Sequence, residues 1–238
     1  MSVEEAKKKA AITAVDTHVK NNMILGIGSG STVVYAVERL VERVQKEKLQ
    51  IICIPTSFQS YQLITNNNLT LGSLDNNPEI DLVIDGADEI DSNLNLIKGG
   101  GGCHVQEKII ASNSKKMIVI ADFRKNSDIL GEKWKKGVPV EVIPLGYIPI
   151  MAKLKKIGGN PVLRMAKSKA GPCVSDNGNF IIDVDFGLIK NPKDLNGQIK
   201  MIPGIVETGL FINSISADIS LAYIGLEDGT VIEKIRDI

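Results

Sequence analysis

Three short stretches of this 238-residue chain gather side chains able to move protons or hold an anion. Residues 85–91 read Asp85-Gly86-Ala87-Asp88-Glu89-Ile90-Asp91, four carboxylates in seven positions. Lys98 then precedes Gly99, Gly100, Gly101 and Gly102, and Glu107 follows shortly after. Neighbouring carboxylates divide acid and base work when burial and mutual repulsion raise the pKa of one of them. A lysine and oriented N–H groups can stabilise a developing oxyanion. A glycine run is entropically costly, and it fits where backbone must come close to a ligand or aim N–H groups at an anion. The remaining stretch, Gly28-Ser29-Gly30-Ser31-Thr32, offers hydroxyls and N–H donors ahead of a helix, a setting for a hydroxylated or anionic ligand. Each has a plainer reading: a solvated turn, a flexible loop, a tight strand-to-helix turn, and for Glu107 a partner in Lys108 or solvent.

The Gly28 loop is not a dinucleotide fingerprint. Its spacing is G-x-G-x-G, and no acid stands at the end of the second strand, where Ile54-Pro55-Thr56-Ser57 lies. No Gly-Lys-Ser/Thr follows, so it is not a P-loop. Asp91, Asn93 and Asn95 imitate the first ligands of a calcium loop, but Leu96 replaces its glycine and Gly102 its closing glutamate. A magnesium site on Asp85 and Asp88 stays open at this point.

The elements that position these stretches follow from hydrophobic patterning. Residues 23–27, 51–54, 81–84 and 117–121 are short apolar runs that read as strands. Between them, Val33, Val37, Leu40, Val41 and Val44 share one helical face, Ser57 is an N-cap for a second helix, and residues 107–112 read as a third. Near-continuous apolar strands alternating with helices imply a parallel sheet covered on both faces. Ligands then bind beyond the C-terminal ends of the strands, where all three stretches fall. After Lys136 the pattern changes. A strand over 138–143, a helix opened by Pro149 and closed by Gly158, a strand over 161–165, the Asp176-Asn177-Gly178 turn before a strand over 180–184, a helix capped by Asn191-Pro192, and a last strand over 205–211 give the order βαββαβ. The fold class is therefore α/β, a parallel-sheet domain with a smaller ferredoxin-like α+β domain. Boundaries fall at 1–136 with 212–238 for the first and 137–211 for the second. A hairpin over 219–235, turning at Asp228-Gly229, rejoins the first.

Composition narrows the function. Lysine plus arginine equals aspartate plus glutamate at 28 each, which argues against a nucleic-acid partner. No run approaches the roughly 18 apolar residues of a membrane span, and the acidic N-terminus is not a secretory signal. Cys53, Cys103 and Cys173, an odd number without paired spacing, read as reduced thiols in a cytoplasmic protein rather than a disulfide or zinc framework. Two histidines make a histidine-rich metal centre unattractive. Taken together, the three stretches supply what aldose–ketose isomerisation of a small phosphorylated sugar requires. These are an acid–base group for ring opening, a base for the proton shuttle, positive charge for the enediolate and an anchor for phosphate.

Gly28-Ser29-Gly30-Ser31-Thr32, Asp85-Gly86-Ala87-Asp88-Glu89-Ile90, Lys98-Gly99-Gly100-Gly101, Glu107-Lys108-Ile109-Ile110-Ala111, Asp176-Asn177-Gly178-Asn179 and Ile202-Pro203-Gly204-Ile205-Val206-Glu207 closely resemble the signatures of the type A ribose-5-phosphate isomerase family, over nearly the whole chain. The resemblance implies a Rossmann-like domain with a ferredoxin-like one. It also implies interconversion of D-ribose 5-phosphate and D-ribulose 5-phosphate in the pentose phosphate pathway, no metal or other cofactor, and a homodimer or homotetramer. It assigns Glu107 as the base, Asp85 with Asp88 to ring opening and sugar hydroxyls, and Lys98 to developing negative charge. Ser29, Gly30, Ser31, Thr32, Gly86, Ala87, Gly99, Gly100, Gly101 and Lys125 would bind substrate. Ser29 stands for the commoner threonine, Arg124 for a small polar residue, Gln106 for a frequent arginine, and Gly102-Cys103-His104 varies a segment that is often small and apolar. Two other readings are a non-catalytic sugar-phosphate sensor, which should carry a helix-turn-helix or lack the base, and a CoA transferase, whose glutamate would form a thioester.

Overall fold

The structure is a computed structural model that describes residues 2–214 and 216–235. A capping box between Ser2 and Glu5 starts α1 (Val3–His18), whose Ala6, Ala10, Ala11, Ala14 and Val15 form a buried stripe. Sequence patterning did not anticipate this helix, because alanines make a weak apolar signal. It packs on the face of the main sheet rather than projecting as a DNA-binding unit.

The chain then alternates: β1 (Ile24–Ile27), α2 (Ser31–Glu47), β2 (Ile52–Pro55), α3 (Phe58–Asn66), β3 (Thr70–Leu71), β4 (Leu82–Asp85), β5 (Glu89–Ile90), β6 (Leu96–Ile97), α4 (His104–Ser112) and β7 (Met117–Asp122). Ser57 caps α3 as expected, its hydroxyl accepting from the Ser60 N–H. The second half adds β8 (Val138–Val142), α5 (Tyr147–Lys156), β9 (Asn160–Leu163), β10 (Phe180–Asp185), α6 (Pro192–Lys200), β11 (Ile205–Thr208), β12 (Leu210–Phe211), β13 (Ile219–Gly225) and β14 (Val231–Ile235). Pro149 is the third residue of α5 rather than the first, since a 3-10 turn at Pro144–Gly146 leads into the helix. A proline is tolerated there because first-turn N–H groups have no intrahelical partner.

The main sheet has the order β14-β13-β7-β4-β1-β2-β3, parallel except for the terminal β13–β14 hairpin. From β1 the chain runs outward to β2 and β3, then returns to the other side of β1 as β4. The reversal of direction therefore lies between β1 and β4, and their C-terminal ends open the crevice that such sheets use for ligands. Aliphatic clusters cover both faces, one around Leu25, Leu40, Ile84 and Ile120 and one around Val83, Val119, Ile110 and Ile224. The second sheet, β11-β8-β10-β9, is antiparallel throughout, the ferredoxin-like arrangement.

The strand expected over 205–211 is two strands. Its first half, β11, joins the second sheet, and β12 pairs with β6 in a three-stranded sheet with β5. The switch occurs at Gly209, whose N–H donates to the Pro139 carbonyl at 2.6 Å. Asp91 accepts N–H bonds from Asn93 and Asn95 and a side-chain bond from Asn95, so the calcium-like stretch is a self-satisfied turn. No helix among the described residues is long and apolar enough to cross a membrane.

Candidate active site

Asp85 is the last residue of β4 and is fully buried. Its Oδ1 accepts from the N–H of Ser29 at 3.0 Å and of Gly86 at 2.7 Å. This carboxylate lies against the Gly28 loop itself. A Cβ at Gly28 would stand 2.1 Å from Asp85 Oδ1, so only glycine permits the approach. The loop that resembles a diphosphate cradle therefore has a carboxylate built into it.

Lys98, directly after β6, reaches back under this loop. Its Nζ lies 2.9 Å from Asp85 Oδ2 and 3.3 Å from Glu107 Oε1, and it donates to the Gly86 carbonyl at 2.5 Å. At 2 % exposure an ammonium needs such partners. Burial alone would depress its pKa, but Asp85 and Glu107 outweigh burial and raise it, so it stays charged. Glu107 lies in the first turn of α4 and is 5 % exposed. Burial, reinforced by the charge of Asp85 and opposed by Lys98, pushes its carboxyl up to about 8. Its Oε2 is buried with no hydrogen-bond partner among the described residues. Asp88 is half-buried; its Oδ2 accepts from the Gly100 N–H at 2.6 Å, and burial raises its pKa. A Cβ at Gly100 would meet both Asp88 and the Trp134 ring within 2.8 Å.

Asp88, Lys98 and Glu107 line one cavity of about 400 Å³, together with Ser29, Gly30, Ser31, Thr32, Gly86, Ala87, Gly99, Gly100, Gly101 and Lys125, all of which the sequence singled out; fully buried Asp85 is not in the lining and meets it through Lys98 and the Ser29 and Gly86 N–H groups. Within it the Ser29 hydroxyl is engaged with Thr56 and Ser57, and its N–H with Asp85, so Ser29 shapes the loop. Gly30 caps α2 with no side-chain bond, leaving the N–H groups of the first turn without a side-chain acceptor. Lys7 from α1 reaches this helix start, donating to Ser31 Oγ at 3.0 Å, and Arg124 also lines the cavity. The cavity is thus polarised, with a helix N-terminus and cations in one part and Asp88 and Glu107 beside Lys98 in another, Asp85 pairing with Lys98 from behind the wall.

Sequence reasoning did not propose Lys7, and treated Arg124 only as a neighbour of Lys125. Lys7 is 24 residues from the hydroxyl it contacts, and no local motif announces that contact. Asp176 was read as part of a turn, yet it lines the cavity and accepts from the Phe58 N–H at 3.0 Å. Its hairpin is anchored by buried Glu141, whose Oε1 accepts from Ser175, Asn177 and Asn179. Gln106 contacts the same hairpin through Asn177. Cys103 lines the cavity, but burial and the charge of Glu107 push its thiol up to about 12, so it is neutral. His104 is buried beneath Gly99, and burial depresses its imidazole to about 3. Among the described residues no cluster of three histidine, cysteine or acidic side chains is arranged to hold a metal ion.

The arrangement can protonate a leaving oxygen, take a proton from carbon and hold an oxyanion next to an ammonium. Comparison with known proteins bears on which reaction this is. Residues 52–229 match the family described as ribose 5-phosphate isomerase A (phosphoriboisomerase A). A ribose-5-phosphate isomerase of Sus scrofa is 58% identical over 229 residues, covering 96% of this chain and 74% of the relative. That of Dictyostelium discoideum is 54% identical with both chains fully covered. The solved ribose 5-phosphate isomerase A of Methanocaldococcus jannaschii superposes with a TM-score of 0.90 at 40% identity, covering 98% of this chain and all of that one. A D-ribose-5-phosphate isomerase in complex with phospho-erythronic acid superposes at 0.92 with 39% identity, covering 99% and 100%.

Proposed function

The chain belongs to the ribose 5-phosphate isomerase A family, and from that premise we propose how its cavity interconverts D-ribose 5-phosphate and D-ribulose 5-phosphate. The observation that carries the reading is that Asp88, Lys98 and Glu107 line one cavity that also holds a cationic helix N-terminus, with buried Asp85 paired to Lys98 behind its wall.

The phosphate is held by the first-turn N–H groups of α2 with Lys7, Arg124 and Lys125, since a helix start and fixed cations both favour a dianion. This sets the sugar carbons toward the carboxylates. Asp88, whose pKa burial raises, donates a proton to the ring oxygen as the C1–O bond breaks, and the carboxylate so formed takes up the anomeric hydroxyl proton, leaving the aldehyde and a reprotonated Asp88. Asp85 assists and keeps Lys98 in place. Ionised Glu107 takes the C2 proton of the open aldose, and the electrons move onto O1. Lys98 and the glycine-loop N–H groups stabilise that enediolate oxygen. A proton passes from O2 to O1 as Glu107 returns its own to C1, leaving the ketone at C2. Every proton is accounted for within the sugar, Glu107 and Asp88, and no oxidant or reductant is needed.

The division into 1–136 with 212–238 and 137–211 is proposed on the sheets that β8–β11 and β13–β14 join, with β12 inside the second segment crossing to pair with β6 of the first; residues 1, 215 and 236–238 lie outside the described ones. A cytoplasmic location is proposed on the three free cysteines. A homodimer or homotetramer is proposed, supported by exposed Leu145, Ile148 and Met201 on the second sheet's helices and turns.

Incubating the purified protein with ribose 5-phosphate in heavy water tests the function. Ketose must form, with deuterium at C1 to the extent that the proton on Glu107 exchanges before its return. Absence of ketose would end this proposal.

A further inference from the structure

The glycine run is held from outside the main sheet. Arg164 directly follows β9 in the second sheet, 65 residues from Gly99. Its own backbone is fixed on both sides, the N–H donating to the Ile181 carbonyl at 2.8 Å and the carbonyl accepting from Cys173 at 2.8 Å. Asp183 on β10 takes its guanidinium by two parallel bonds, Nε to Oδ2 at 2.9 Å and Nη2 to Oδ1 at 2.5 Å. That fork fixes the plane of the guanidinium. The remaining nitrogen, Nη1, donates to the carbonyls of Gly99 at 3.0 Å and Gly100 at 3.3 Å.

These carbonyls belong to two successive peptide units. In a trans peptide the C=O and the following N–H point in opposite directions. The Gly99–Gly100 unit is therefore strung between Arg164 and Asp88, whose Oδ2 accepts the Gly100 N–H at 2.6 Å. In the next unit Arg164 holds the Gly100 carbonyl, so the Gly101 N–H faces away from Arg164, and Gly101 lines the cavity. Two successive N–H groups turned to one side form an anion-binding nest. Glycine has no side chain to lock such a loop, so its orientation must come from its partners.

We infer that Arg164, locked by Asp183, is a positioning residue for the isomerisation: it orients the Gly99–Gly101 peptides so that one N–H fixes Asp88 and the next faces the developing oxyanion. This rests on the isomerase reading above. The second sheet thereby sets the geometry of an active site whose acid, base and ammonium all lie outside it, between β4 and α4.

The test compares wild type with R164A, R164K and D183N, measuring kcat, KM, the thermal midpoint and inhibition by phospho-erythronic acid and by inorganic phosphate. Loss of a direct oxyanion donor costs about 10²–10³ in kcat, so a donor merely released should cost about 10- to 100-fold. R164A is expected to lose that much kcat with KM changed less than about threefold. Phospho-erythronic acid should weaken in step with kcat, because its carboxylate resembles the enediolate in charge and planarity, while phosphate inhibition holds. R164K should recover the midpoint but not kcat, because an ammonium cannot make the planar fork. D183N should fall in the same direction by a smaller factor.

A folded R164A with kcat within about twofold of wild type, a loss confined to KM, or full recovery of kcat by R164K would each overturn the inference. Should R164A fail to fold, R164K and D183N decide on the same criteria. A wild type that forms no ketose would instead overturn the isomerase reading.

Discussion

Replacing Glu107 by glutamine should move activity and stability in opposite directions. Glutamine keeps the shape of the side chain but cannot take a proton from carbon. General-base catalysis contributes about 10²–10⁴ in rate, equivalent to roughly 3–5 kcal/mol of barrier, and E107Q should lose turnover by that factor while still binding substrate. The stability effect follows from burial. The carboxyl titrates near 8 in the folded protein against its ordinary 4.5, because it is 5 % exposed and faces Asp85. Between these two values the unfolded chain has released the proton and the native protein still holds it, so wild-type stability falls as pH rises from about 4.5 to 8. At about 1.4 kcal/mol per tenfold change in proton affinity, the full cost above pH 8 is at most about 5 kcal/mol. Glutamine removes that cost but deprives Lys98 of one of its two carboxylate partners, which returns about 1–3 kcal/mol. The net gain at pH 9 is at most roughly 2–4 kcal/mol, or about 4–16 °C in a chain of this size, and it should vanish near pH 5. Melting curves of both proteins from pH 5 to 9 measure this, beside ketose formation. A midpoint difference that does not depend on pH, or a variant less stable than wild type at pH 9, would refute the buried, proton-holding carboxyl. Near-normal turnover would remove Glu107 as the base.

Other outcomes follow from the same geometry. K98M should abolish measurable turnover and cost about 3–5 kcal/mol, because it leaves Asp85 and Glu107 buried without their cation; a variant as stable as wild type would contradict the ion triad. K7A should raise KM and weaken phosphate inhibition about tenfold with kcat little changed, whereas an effect on kcat alone would place Lys7 outside phosphate binding. With Glu107 titrating near 8, kcat/KM should fall about tenfold per pH unit on the acid side of that value, and a profile flat from pH 6 to 9 would exclude it. Turnover should persist in EDTA, since Asp85 is committed to N–H donors and Lys98 and Asp88 to Gly100; loss restored by magnesium would overturn this.

Local signals were readable without coordinates. The i, i+4, i+7 spacing from Val33 placed α2, Ser57 capped α3, and Asp176-Asn177-Gly178 turned the hairpin, because caps, turns and amphipathic stripes depend on residues a few positions apart. Asp85, Asp88, Lys98 and Glu107 were legible for a related reason. They lie within 23 positions, at strand ends or first helical turns, where the rules of a parallel sheet already place a crevice.

What needed the folded chain was whatever depends on distant partners and on burial. Lys7 at α2, Arg164 on the glycine run and Asp176 at α3 are contacts between segments that no short-range pattern links. The strand expected over 205–211 divides at Gly209 because two different sheets claim its halves. A glutamate in a sequence is an acid of ordinary strength. Only burial, reinforced by Asp85 against the opposing charge of Lys98, raises Glu107 to about 8, since the cost of a charge is set by the medium and the charges around it, and folding alone supplies both.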